Sequence, residues 1–304
     1  MITRLCSTLT LPSPILAASG SLGWGNTLTG LTDPSSLGAF ITPTLTLPPR
    51  EGNPMPRTSE TSAGLLHASG IPNPGLELFL SHTLPALRLM GIPIIVNILG
   101  QNMAEWSELA RRLGNTGSIA AIELNLTPPQ LIMAEQVRQP LPAEPELHSL
   151  TADAISTVKN SCSLPLIAKL PSSGAEIGAL ASTAESAGAD ILSIGQSFPG
   201  IAVRPNERRF RFQGVVGGLS GPAIKPMALY QVWRVKQAAS LPVIASGGIM
   251  TAEDAIEFFI AGADAAAIGV GLSIHPSLAG DISIEITRYL AKHQIKDVRA
   301  LRAS

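Results

Sequence analysis

Eight short apolar segments constrain this chain more than any other feature. They are Pro14–Ala17, Ala39–Thr42, Ile92–Leu99, Ile119–Leu126, Pro165–Leu170, Asp190–Gly195, Pro242–Ser246 and Ala265–Val270. Each is rich in Ile, Val, Leu or Ala, and the apolar residues run together instead of alternating with polar ones. Alternation marks a strand with one wet face. Continuous hydrophobicity over so few residues marks a strand covered on both faces, as in a parallel sheet. Stretches with helical spacing lie between them: Leu76–Leu89, Met103–Arg112, Ala152–Asn160, Ala175–Ala187, Pro226–Ala239, Ala252–Ala261 and Leu278–Lys292. Thr251 stands where an N-cap hydroxyl is wanted, with Glu253 and Asp254 in the first turn. Such alternation predicts an α/β fold, a (β/α)8 TIM barrel formed as a single domain by residues 1–304. A doubly wound open sheet is the alternative. The phrase Ser186–Gly195, SAGADILSIG, returns as Ile260–Gly269, IAGADAAAIG, in each case a helix end at Ala-Gly-Ala-Asp running into an apolar strand.

Composition narrows the function classes. Hydrophobic residues make up 45% of the chain and charged residues 14%, which excludes intrinsic disorder and supplies a large core. The net charge of −1, from 21 basic and 22 acidic residues, leaves no basic stripe for nucleic acid or an anionic membrane surface. Cys6 and Cys162 are too few for a disulfide framework or a cysteine metal cluster. His67, His82, His148 and His275 show no metal-ligand spacing, so no metal is expected. Asn97 and Asp264 break the longest apolar runs well short of the ~18–20 residues of a membrane span. Met1–Leu11 lacks the apolar stretch of a secretory signal. A cytoplasmic protein is expected, and the sparse charge points to an oligomer.

Two segments exceed what a bare barrel needs. Pro43–Pro74 is polar and rich in Pro, Gly, Ser and Thr, and Leu126–Pro145 carries several prolines. Both follow predicted strands and therefore belong to the C-terminal face, where barrel active sites are built. Ala245–Ile249, ASGGI, and Ile268–Gly271, IGVG, follow the last two strands. Glycines there let backbone N–H groups approach a phosphate, although tight strand–helix turns alone explain the same residues. Gly217–Pro226, GGLSGPAIKP, is a third glycine-rich stretch, leading into a helix. Lys169 ends an apolar strand, where it either snorkels outward or faces an anion inside. Asn97 and Asn125 interrupt two strands and either bond neighbouring backbone or present polar groups to the barrel mouth.

Together these segments resemble the class 1 dihydroorotate dehydrogenase family, most closely the class 1B catalytic subunit. The likeness runs nearly end to end. It rests on Ala18–Gly25, ASGSLGWG; Pro48–Arg57, PPREGNPMPR; Gly64–Gly75, GLLHASGIPNPG; Ile122–Gln130, IELNLTPPQ; Gly217–Pro226; and Ala245–Gly269, ASGGIMTAEDAIEFFIAGADAAAIG. The resemblance implies an FMN-binding barrel. Ala18, Ser19 and Gly20 would lie against the isoalloxazine, Asn97 and Asn125 would bond its edges, and Lys169 would stand beside its N1–C2 region. Ser220 and Gly221 would line the cofactor, and Gly247, Gly248, Gly269 and Val270 would offer N–H groups to its phosphate. It also implies a partner subunit carrying FAD and an iron–sulfur cluster, and the expected oligomer is a homodimer.

The substrate side departs from that pattern. The family's loop reads Asn-x-Ser-Cys-Pro-Asn, and here Asn125-Leu126-Thr127-Pro128-Pro129-Gln130 stands instead. Pro128 holds the place of the cysteine base and has no proton-accepting side chain. Pro43 replaces a lysine, His67 and Gln130 replace asparagines, and Gln196-Ser197 replaces Asn-Thr or Asn-Ser. Asn125 and the backbone of Ser69, Gly70 and Ile71 are retained as substrate contacts. His67, with Thr127 as the weaker choice, is the candidate proton acceptor. The expectation is an FMN-dependent oxidoreductase acting on a small-molecule substrate, with poor turnover of dihydroorotate. The alternatives are a non-catalytic flavin- or partner-binding subunit, and a flavin-free phosphate-binding barrel with Lys169 as a Schiff-base lysine.

Overall fold

The computed structural model describes residues 1–25, 33–134, 136 and 139–303. Eight parallel strands close into a barrel in chain order, with the last pairing the first. They are β1 (Ile15–Ala17), β2 (Phe40–Ile41), β3 (Ile94–Ile98), β4 (Ala121–Asn125), β5 (Leu166–Lys169), β6 (Ile191–Ile194), β7 (Val243–Ser246) and β8 (Ala265–Ile268). Every one falls inside a predicted apolar segment, and the open-sheet alternative is excluded. The barrel interior packs Leu16, Ile41, Ile95, Ile167, Ile191 and Ile244 into one cluster with Leu5, Leu9 and Leu11. Those three leucines come from or beside the hairpin of Thr3–Arg4 and Thr10–Leu11, which therefore closes the barrel floor. The outward faces of the strands pack against the helices in a second, larger cluster.

The helices follow the predicted pattern with physical exceptions. Thr251 caps Ala252–Ile260 through a reciprocal box with Asp254. The predicted Ala152–Asn160 begins earlier, at Glu144, with Pro145 in the first turn where its missing N–H costs nothing. His148 belongs to this helix, and its Nδ1 lies 2.6 Å from Thr183 Oγ1. The predicted Leu76–Leu89 is a helix with a fault: Gly75–Leu78 and Leu84–Arg88 flank a π turn at Phe79–Thr83, just before Pro85. A short extra helix, Val270–Ile274, follows β8.

The long segment after β2 and the chain after β6 are not structureless. Thr58–Thr61 and Gly64–His67 form a hairpin, and Gly64–His67 pairs antiparallel with Val216–Ser220, which pairs with Phe198–Ile201. Gly217–Ser220, the start of the glycine-rich stretch that leads into a helix, is thus a strand. This four-stranded sheet roofs the C-terminal mouth of the barrel.

Candidate active site

Between roof and barrel mouth lies a cavity of about 550 Å³. Its floor is made of strand ends. Ala18, Ser19 and Gly20 follow β1; Asn125 and Lys169 end β4 and β5; Gly247 and Gly248 follow β7; Gly269 and Val270 follow β8. The roof and its flanks supply His67, Ser69, Gly70, Ile71, Gln196, Ser197, Ser220 and Gly221. Pro43, Thr44, Thr127 and Ile132 complete the wall. Residues far apart in sequence thus converge because each follows a parallel strand on the same face.

Lys169 points inward, not outward. Its side chain is 12% exposed, and Nζ lies 3.8 Å from Oε1 of Glu123, whose side chain is 1% exposed. Asn97 Nδ2 donates to the same oxygen at 2.6 Å. Register explains the group: Asn97 is level with Glu123 between β3 and β4, and Asn125 with Lys169 between β4 and β5. A carboxylate and an ammonium share this space because either alone would be strongly disfavoured by loss of water. Glu123 was not singled out in the sequence. Its signal was a lone acid in an apolar strand, two residues before Asn125 and so on the same face.

Two of the expected residues lie outside the lining. Asn97 is fully buried beneath the floor, and Gln130 stands off the cavity. Pro128 is buried and also outside the lining, whereas Thr127 reaches it. Asn125 is fixed on both sides: Nδ2 donates to Thr44 Oγ1 at 3.1 Å, and Oδ1 accepts from the Thr127 N–H at 3.2 Å. The Thr127 hydroxyl has no partner within the protein. Burial under the roof, followed by the positive charge of Lys169, holds the His67 imidazole below its ordinary value of 6.5. It is therefore neutral near pH 7 and able to accept a proton.

The lining has the chemistry of a flavin nucleotide site. Gly247 and Gly248, at φ +109° and +78°, adopt a backbone that side chains resist. A Cβ on Gly248 would stand 2.7 Å from Lys225 Cβ, so backbone alone fits there. A Cβ on Gly20 or Gly269 would meet no protein atom within 4 Å and would project into open space. Glu123 Oε2, Asn97 Oδ1 and the Thr127 hydroxyl are buried polar atoms without protein partners. One cation, Lys169, faces this space among the described residues. A backbone cradle after β7 and β8 suits a phosphate, and an inward lysine suits an electron-poor ring that gains negative charge. FMN fits that combination. Among the described residues no cluster of His, Cys, Asp or Glu could hold a metal, and no helix is long and apolar enough to cross a membrane.

Fold and site together define a (β/α)8-barrel flavin oxidoreductase. The chain matches the dihydroorotate dehydrogenase family over residues 1–290 and belongs to it. Like other members of that family, it is an FMN-dependent oxidoreductase acting on a CH–CH bond. The catalytic subunit of dihydroorotate dehydrogenase B (NAD(+)) from Desulforudis audaxviator is 40% identical over 293 residues, covering 96% of this chain and 94% of that protein. The corresponding subunit from Geotalea daltonii is 39% identical over 295 residues, covering 97% and 95%. The crystal structure of DHODH from Eimeria tenella in complex with ferulenol superposes with a TM-score of 0.77 at 21% identity, over 99% of this chain and 87% of that one, and has the same fold.

Proposed function

We propose that this chain, acting as one domain, is the flavin-carrying catalytic member of a two-subunit oxidoreductase, and that dihydroorotate is a poor substrate for it. The observation that carries this reading is the combination of a floor lined by glycine backbone and Lys169 with a roof whose only lining imidazole, among the described residues, is His67. Bound FMN supplies a hydride acceptor beside the substrate ring. Ala18, Ser19 and Gly20 would support the isoalloxazine, Ser220 and Gly221 would flank it, and Gly247, Gly248, Gly269 and Val270 would hold the phosphate. Lys169 provides positive charge where negative charge develops, and Glu123 with Asn97 would fix its ammonium in place. Neutral His67 takes the proton from the carbon next to the one that loses hydride, a task worth roughly 10²–10⁴-fold in rate. Pro128 has no atom for that task. Asn125, Thr127, Gln196, Ser197 and the backbone of Ser69–Ile71 would orient the ring.

The proposal extends to a cytoplasmic homodimer and to a partner subunit, carrying FAD and an iron–sulfur cluster, that removes electrons. The relatives' designation as catalytic subunits of NAD(+) enzymes supports a partner. So does an apolar face of Met227, Tyr230 and Trp233 exposed on the helix Lys225–Ala238.

The test has two stages. Denaturing the purified protein should release FMN. Mixing the holoprotein anaerobically with dihydroorotate should leave the flavin absorbance nearly unchanged. Rapid bleaching would overturn the substrate reading, and a colourless chain that refuses added FMN would overturn the flavoprotein reading.

A further inference from the structure

The cavity's charge inventory is short. Among the described residues that line it, Lys169 and His67 are the only side chains with basic or acidic groups. Lys169 is already matched by Glu123, 3.8 Å away beneath the floor. Burial and the neighbouring ammonium keep His67 uncharged. Pro43, which follows β2 in the lining, offers no charge, and Leu131, Ile132 and Pro199 continue the wall in apolar material. A ligand carboxylate entering here would lose water and find no uncompensated cation, an exchange that disfavours binding.

The polar groups that remain suit a different ligand. The Thr127 hydroxyl is buried without a protein partner and can both donate and accept. Ser197 and Gln196 line the cavity and are likewise uncharged. The backbone at Gly70 and Ile71, at φ +68° and +58°, adds peptide dipoles but no net charge. Such groups complement the alternating N–H and C=O edge of a cyclic amide.

We infer that the substrate side of this cavity selects an uncharged, uracil-like ring over the same ring bearing a carboxylate. The inference rests on the flavoprotein reading above and narrows its substrate class. Selectivity here comes from withholding a counter-charge as much as from offering bonds.

Uracil and orotate make a matched pair of probes, since they share a ring and differ by one carboxylate. Each is titrated into the FMN-loaded protein while the flavin spectrum is followed. Uracil should perturb the spectrum with a Kd about tenfold or more below that of orotate, the difference expected when a buried charge goes unpaired. Orotate binding as tightly as uracil, or tighter, overturns the inference while leaving the flavoprotein reading intact. Failure of uracil to perturb a bound flavin overturns it as well. A chain that retains no flavin removes both readings together. In a second arm, Pro43→Lys should strengthen orotate binding by about tenfold and alter uracil binding much less, with the flavin spectrum reporting that the fold is kept. Orotate affinity that does not move in this variant also overturns the inference.

Discussion

The carboxylate of Glu123 binds two groups at once: its Oε1 accepts from Asn97 Nδ2 at 2.6 Å and stands 3.8 Å from Lys169 Nζ. The three side chains come from adjacent strands, so their spacing is set by barrel register. This places an ammonium at the cavity floor whose position depends on an acid that never reaches the cavity.

Lys169→Ala should lower the reduction potential of the bound flavin by about 30 mV or more, the two-electron equivalent of a tenfold change, with a smaller effect on FMN affinity. It should also destabilise the fold, because Glu123 is left as a lone buried charge, a loss of about 3 kcal/mol or more. Adding Glu123→Gln should recover the stability but not the potential. Spectroelectrochemistry and thermal unfolding check the two effects separately, and an unchanged potential would show that the lysine has no electronic role.

Glu123→Gln alone should move the potential the other way. Removing the buried negative charge leaves Lys169 uncompensated and makes flavin reduction easier. A fall in potential would mean that the carboxylate's main task is to hold the ammonium close.

His67 gives a pH dependence whose sign can be worked out. Its folded-state value lies below the ordinary 6.5. As pH falls below 6.5 the unfolded chain gains a proton that the folded chain resists, so stability is full above that value and declines towards the lowered one. Wild-type stability against urea should decline as pH falls below 6.5, and that of His67→Asn should decline less over the same range. The acid limb of flavin reduction by a dihydro ring should also lie below 6.5 and vanish in His67→Asn.

Two glycines separate binding from folding. Gly269 has open space where a Cβ would go, so Gly269→Ala should keep the thermal midpoint and lose FMN affinity. Gly248 has φ +78° and a Cβ position 2.7 Å from Lys225 Cβ, so Gly248→Ala should lose both. Fluorescence quenching of added FMN and a thermal melt distinguish the two outcomes.

The barrel was legible because each strand is sealed on both faces, which writes an unbroken apolar run into the sequence. The glycine turn after β7 was legible for a related reason: Gly247 and Gly248 occupy a backbone conformation that other residues resist. The roof was not. Thr58–Thr61 is largely exposed, so no burial pattern marks it, and its partner strand pairs across some 150 residues, as in the Ser220 hydroxyl donating to Leu65 O. Local periodicity carries no trace of such pairing. Glu123 was hidden differently, since a single acid in a strand looks like an interruption until register sets Asn97 and Lys169 around it.

The roof is held by backbone ladders between Phe198–Ile201, Val216–Ser220, Gly64–His67 and Thr58–Thr61. Ladder bonds do not depend on side-chain identity, so His67 or Pro199 can be exchanged without unpicking the sheet. The floor depends on glycine conformations and a buried ion pair, and tolerates far less. On the proposed roles, selectivity should therefore mutate more freely than electron chemistry. A lineage can drift to a new ring while its redox centre stands still, and a library randomised at roof positions alone should yield mostly yellow proteins.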